Sequence, residues 1–243
     1  MYVLALDTTT PDGSAALVDE HRVIEARRGD VRRSQVERLP GELVELADAH
    51  GVSVSAIDLF AVAAGPGSFT GLRIGIATIQ GLALTTGKRI VAVSALEALA
   101  QSAGRAPGTL VAAWMDARRH DVFAALYRVA DAPPFSPERL VEIEGATVGD
   151  PGVTLARWGS HLLNASVAFV GDGAALHADA IAASRSSGWE VLSEPPLLAG
   201  VIGQMAVVRA TRGNTIDPAA VQPLYVRRTD VEIERERKNA QTK

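Results

Sequence analysis

At 243 residues the chain has room for one large domain or two small ones, with an ample core. A hydrophobic share of 47% against 21% charged residues, and a net charge of -4, read as a soluble globular chain with no evident basic face, so any grip on RNA would be shared with a partner. There are no cysteines, which excludes disulfides, thiolate catalysis, iron–sulfur clusters and cysteine-based zinc sites. The opening run Met1 to Asp7 has no basic region and is broken by an acid, so it does not read as a signal peptide. The longest apolar stretch, Leu72 to Leu84, contains Arg73 and Gln80 and is too short to span a bilayer; a cytoplasmic location with no membrane contact is expected.

Tyr2 to Leu6 reads as a buried strand. Asp12-Gly13 signals a turn, and Ser14 to Val18 and Val23 to Arg27 follow as strands of an antiparallel meander. Val36, Leu39, Leu43 and Leu46 recur at helical spacing, with Glu37, Arg38, Glu42, Glu45 and Asp48 expected on other faces. Pro40 lies inside this pattern and predicts a kink or restart, and Gly51 a stop. Ile57 to Ala64 has the length of a strand, Thr70 to Thr86 that of a helix, and Gly87-Lys88 reads as its C-cap. Arg89 to Val93 is a strand, and Ser94 caps a helix to about Ser102 with Glu97 at the capping-box position. Ser102 to Gly108 is the candidate domain boundary.

Beyond it, Leu110 to Met115 and Val122 to Val129 read as strands around a polar hairpin, and Ala130 to Pro137 as a proline-rich loop. Val167 to Val170 is a strand, followed by Gly171-Asp172-Gly173 and a helix to about Ser184. Leu197 to Arg212 is a last helix; Pro223 to Arg228 and the charged tail after Thr229 are expected to be extended or disordered. Both halves start with strands and then alternate helices and strands, which gives α/β or α+β architecture with a mixed sheet in each half. No residue-level repeat is visible.

Three constellations bear on chemistry. Asp7-Thr8-Thr9-Thr10 at a strand end would either hold a metal-bound phosphate or satisfy its own turn amides. Gly65-Pro66-Gly67-Ser68-Phe69-Thr70-Gly71 joins a strand to a helix capped by Ser68 or Thr70, with room for an anion or for another backbone. It is no Walker A loop, and the near miss at Gly81 to Lys88 has five residues between its glycines and Arg89 in place of the Ser or Thr. The helix behind the loop is apolar nearly all round, through Leu72, Ile74, Ile76, Ile79, Leu82 and Leu84. It is either a central core helix or a helix packed partly against another chain. In the second case the interface draws on Ser34, Leu39, Gly67, Ser68, Phe69, Thr70, Gly71, Leu72, Arg73, Gly75 and Ile79. The five histidines form no helical metal pair, and no G-x-S-x-G elbow occurs. Asp7, Thr8 and Asp172 are the candidate cofactor-binding residues.

LALDTTTPDGSAAL, SQVERLP, AGPGSFTGLRIGIATIQGLAL, SALEALA, MDARRHDVF, VGDG and PLYVRR occur in the order found in the bacterial TsaB family, also called YeaZ, which this chain resembles from Tyr2 to about Arg228. The resemblance implies an α/β, actin-like (ASKHA) fold of two RNase H-like halves with mixed sheets flanked by helices: residues 1–105, the smaller half 106–228, and the tail 229–243. It implies a non-catalytic scaffold in making N6-threonylcarbamoyladenosine at position 37 of tRNAs that read ANN codons. The partners implied are a TsaD-like catalytic paralogue, a TsaE-like ATPase, a second copy when the chain is alone, and tRNA through the complex. No cofactor of its own is implied, since ATP and metal are expected on TsaD and TsaE. The catalytic paralogue's H-x-x-x-H pair is absent from the comparable stretch Arg33 to Glu37, where Arg33 also departs from the family's frequent His-Ser. An independent ATP-using enzyme of the same fold, a small-molecule kinase or carbamoyl transferase, is the competing reading.

Overall fold

The computed structural model describes residues 1–184, 188–192 and 197–226. Three strands open the chain as an antiparallel meander: β1 (Val3–Asp7), β2 (Ser14–Val18) and β3 (Val23–Arg28). Helix α1 (Gln35–Asp48) leads to β4 (Leu59–Gly65), helix α2 (Phe69–Thr86), β5 (Arg89–Ser94) and helix α3 (Ala95–Ser102). Strand β4 lies parallel to β1, and β5 parallel to β4, so the first sheet runs β3-β2-β1-β4-β5.

The second half repeats that plan. Its meander is β6 (Leu110–Asp116), β7 (Val122–Val129) and β8 (Leu140–Gly149), followed by α4 (Pro151–Leu162), β9 (Val167–Val170), the short helices α5 (Asp172–Leu176) and α6 (Ala178–Ala183), and β10 (Trp189–Val191). The second sheet runs β10-β9-β6-β7-β8, the same connectivity as the first. The expected actin-like arrangement of two RNase H-like halves is therefore present. The duplication is in topology and is not visible as a sequence repeat. It extends to one backbone detail: the glycines ending β4 and β9, Gly65 and Gly171, have φ of +115° and +116°, values that exclude a side chain.

Alternation along the central strands builds five layers. Leu4 and Leu6 point to one side, where Leu39, Leu43, Ile76 and Ile79 of α1 and α2 cover them. Val3 and Ala5 point to the other, against α3 and α7 (Leu198–Thr211). Val111, Ala113 and Met115 of β6 face the same central layer from the second sheet. Trp114, Trp158, Phe169 and Trp189 fill the outermost core beneath α4. Helix α7 is apolar all round because it is sandwiched: it lies on β1 and β2, touches α3, and Gly203 sits where a Cβ would come within 2.4 Å of Val18 Cγ2. After Leu197 the chain has thus crossed back to the first sheet.

Several local expectations are corrected. The restart expected as one outcome at Pro40 does not occur: helix α1 runs unbroken through this exposed residue, and the carbonyl it leaves unpaired can be hydrated. Arg38, expected on a polar face, is 2% exposed; its guanidinium donates to Glu42 Oε2 (2.5 Å) and to the Asp12 carbonyl (2.6 Å), tying α1 to the β1–β2 turn. Ser94 caps α3 by accepting from the Glu97 amide, but the Glu97 carboxylate does not close the capping box. It grips Arg209 of α7 at 2.6 and 2.7 Å. The helix expected after Gly173 is broken at His177 into α5 and α6. Strands β8 and β10 and helix α4 escaped the sequence reading. Strand β8 is half-exposed along its length, so its alternation is faint. Helix α4 did carry a signal: Asp150 before Pro151, with Leu155, Trp158 and Leu162 at helical spacing. Pro223 to Val226 form neither helix nor strand, and the charged tail after Thr229 lies outside the described residues. Among the described residues no helix is long and apolar enough to cross a membrane.

Candidate functional site

The carboxyl ends of β1, β4, β6 and β9 converge on a cleft between the halves, the position where open α/β sheets bind ligands. A cavity of about 530 Å³ occupies its mouth, bounded by Thr9, Gly67, Phe69, Met115, Asp116 and Tyr225 among others. A smaller one of about 240 Å³ lies beside it, and Asp7 and Asp172 both line it. The two sequence-selected carboxylates are thus brought to one place.

Each is engaged through one oxygen by the chain's own backbone. Asp7 is 3% exposed, and its Oδ1 accepts from the Thr9 amide (2.9 Å) and the Thr9 hydroxyl (2.6 Å). Burial pushes its carboxyl above the ordinary range against the pull of those two bonds, and the nearby Asp12 and Asp172 charges add to the rise. Asp172 Oδ1 accepts from the Asp116 and Gly173 amides at 3.0 and 2.9 Å. Its side chain reaches solvent, yet the concave wall around it desolvates the carboxyl enough to raise it, and Asp116 repels it further. Thr8 is fully buried and lines neither cavity; its Oγ1 has no hydrogen-bond partner. Both acids satisfy turn amides in the way a strand end requires. The Met115 to Asp121 hairpin turns through Arg118, Arg119 and His120, all with positive φ (63°, 55° and 66°), and Arg118 pairs with Asp116. Among the described residues no group of three or more histidines and carboxylates stands close enough to share a metal ion.

The glycine loop turns inward. Ser68 caps α2 by accepting from the Gly71 amide at 3.2 Å, and its own amide donates to the Thr9 carbonyl at 2.8 Å. A Cβ on Gly67 would meet Thr9 Cβ at 2.5 Å, one on Gly71 the Thr8 carbonyl oxygen at 2.2 Å, and one on Gly75 Thr8 Oγ1 at 2.1 Å. The expectation that these glycines admit a partner's backbone is corrected: they admit the chain's own Thr8–Thr9 turn. Leu39, Leu72 and Ile79 are likewise core residues, 2%, 1% and 0% exposed.

Of the remaining interface candidates, Ser34, Ser68, Phe69, Thr70 and Arg73 are exposed. The outward face also holds Ala77 and Gly81, small enough in the sequence for close backbone approach, and apolar residues beyond the interface candidates. On α2, Ala77, Gly81 and Leu84 continue from Arg73 at helical spacing, and Leu84 is 61% exposed. On α1, Val36, Pro40 and Val44 do the same. The signal was available: apolar residues lay on every side of α2, and a single sheet can bury only one of them.

The model of the family described as "TsaD: tRNA N6-adenosine threonylcarbamoyltransferase" matches residues 29–195. The tRNA threonylcarbamoyladenosine biosynthesis protein TsaB of Escherichia coli is 39% identical over 129 residues, 53% of this chain and 55% of that protein. The chain thus spans about half the length of that relative. The protein of the same name from Bacillus subtilis is 32% identical over 179 residues, 73% of each chain. The solved structure of YeaZ from Pseudomonas aeruginosa is 30% identical with a TM-score of 0.72, covering 92% of this chain and 99% of that one. A family match across more than half the chain, joined to likeness over nearly the whole of a solved YeaZ fold, means that this chain belongs to the TsaB (YeaZ) family.

Proposed function

We propose that this chain serves tRNA threonylcarbamoyladenosine biosynthesis in the cytoplasm as a non-catalytic subunit, one that binds a TsaD-like paralogue through the outward faces of α1 and α2. The observation that carries this reading is the pairing of two opposites. The cleft carboxylates Asp7 and Asp172 are engaged by the chain's own turns, while Val36, Val44 and Leu84 stand exposed on adjoining helices. Exposed apolar side chains in helical register are what an obligate interface needs. The same face would serve a homodimer when the paralogue is absent. The paralogue would then supply the active centre, with a TsaE-like ATPase joining the assembly and tRNA reached through the complex. The net charge of -4 suits a subunit that does not grip RNA alone.

One observation favours the competing reading of an independent ATP-using enzyme: Asp7 and Asp172 line a single cavity in the cleft. The test separates the two. Given the threonylcarbamoyl-adenylate and tRNA, the purified chain alone should transfer nothing, and adding the paralogue and the ATPase should restore transfer. Robust transfer by this chain alone would refute the subunit reading. In the same preparation Leu84→Glu should weaken association with the paralogue about tenfold or more, because it buries a charge, and leave the melting temperature within about 2 °C of wild type. Unchanged association would remove the α2 face from the interface.

A further inference from the structure

Residues 214–226 form a strap that leaves α7 and crosses the first sheet beside α2. Its first part is firmly held. Ile216 and Ile90 exchange both backbone hydrogen bonds, Gln80 Nε2 donates to the Pro218 carbonyl at 2.7 Å, and Val221 is 5% exposed in the outer core. Its tip is held differently. The Leu224 amide donates to the Ala64 carbonyl at 2.7 Å, and Tyr225 lies 5.1 Å from the Phe69 ring. Arg73 bonds both members of that pair: Nε donates to the Tyr225 hydroxyl at 2.8 Å, and the guanidinium sits 3.9 Å over the Phe69 ring. Leu224 and Tyr225 nevertheless remain 43% and 42% exposed.

The tip also forms part of the rim of the cleft. Leu224, Tyr225 and Val226 line the larger cavity from the same side as Phe69. Val226 packs against the central core, so one backbone bond and one three-member stack decide whether the Leu224–Tyr225 part of this wall stands.

We infer that residues 222–226 act as a latch on the inter-domain cleft, fastened by the Phe69–Arg73–Tyr225 stack and hinged after Val221. Local openings of this kind are drawn from segments with few buried contacts and exposed hydrogen bonds, which describes the tip and not the strap before it. Undocking removes one wall of the cavity and releases Phe69 and Arg73, already partly exposed at the head of α2, from their stack with Tyr225. The latch goes beyond the subunit reading and stands without it, since every group involved belongs to this chain.

The absence of cysteine makes the latch measurable, because one introduced thiol is a unique reporter. Met115 lines both cavities and is 3% exposed, so Met115→Cys places a thiol behind the latch. Its rate of reaction with an aromatic disulfide reagent, measured on the full chain, should rise about tenfold with Tyr225→Ala, which removes the hydroxyl acceptor and the ring. Tyr225→Phe keeps the ring and should give a smaller increase. Ala112→Cys, fully buried in the outer core of the second half, reports global opening and should react no faster in either background. Equal Met115→Cys rates in all three backgrounds would overturn the latch. So would an equal acceleration at Ala112→Cys, which would mean that Tyr225 only adds to global stability. Robust tRNA modification by this chain alone would count against the subunit reading and leave these rates unaffected.

Discussion

Gly75→Ala gives opposite outcomes depending on what the glycine face of α2 touches. An alanine in a helix interior is favoured over glycine by about 1 kcal/mol, so on an open face the change would stabilise the chain. Here the added Cβ would lie 2.1 Å from Thr8 Oγ1, 2.9 Å from Thr8 Cγ2 and 3.0 Å from Thr8 Cβ. Thr8 is fully buried and joined directly to the turn that holds Asp7, so it has little room to retreat. Overpacking of this kind costs roughly 1–3 kcal/mol, and a contact this short belongs at the upper end. The net expectation is a loss of about 2 kcal/mol, which for a chain of this size lowers the melting temperature by about 4–8 °C. Thr8→Ala removes the two side-chain atoms beyond Cβ, one of them an unpartnered hydroxyl oxygen, and should itself cost about 1 kcal/mol. The double variant should be less destabilised than the sum of the two by at least about 1 kcal/mol. Thermal and urea unfolding of all four proteins, with size-exclusion chromatography alongside, close the cycle. A Gly75→Ala chain that melts at or above the wild-type temperature while its association weakens would refute the reasoning, because the glycine would then face a partner.

Asp172→Asn isolates the effect of the raised carboxyl. The folded chain holds this proton to higher pH than the unfolded chain does, so the group's contribution to stability is greatest at low pH and falls as pH rises through the folded value, above the ordinary 3.8. The amide keeps an oxygen for the Asp116 and Gly173 amides, so the variant should lack that fall, and its urea midpoint relative to wild type should rise with pH from acid toward neutrality. A difference that is flat with pH would mean that Asp172 titrates normally. Glu97→Ala should cost roughly 2 kcal/mol, since it leaves Arg209, 17% exposed, without its bidentate partner between α3 and α7. Differential scanning calorimetry reads this directly, and a shift below about 1 °C would reduce the pair to a surface contact.

The sequence by itself determined most of the elements, because their causes are local. Alternating apolar runs bounded by Asp12-Gly13 marked the meander, Ser68 and Ser94 marked two helix starts, and Gly51 and Gly87 marked two stops, both at positive φ as helix ends favour. The family was legible for the same reason: GPGSFTGLRIG is a contiguous word, and its demands are made within one strand–loop–helix unit. What the sequence left open was which way each face turns. Periodicity shows that α2 carries apolar residues all round but not which of them meet the first sheet. Glycine spacing announces a close approach and is silent on what approaches. Tertiary packing decided that Gly67, Gly71 and Gly75 receive Thr8 and Thr9, that Arg38 is buried, and that Glu97 reaches α7. It also decided that Tyr225, 152 residues beyond Arg73, meets it at the rim of the cleft. Each of these contacts joins residues distant in the chain, and a local pattern carries no information about a neighbour that only folding brings near.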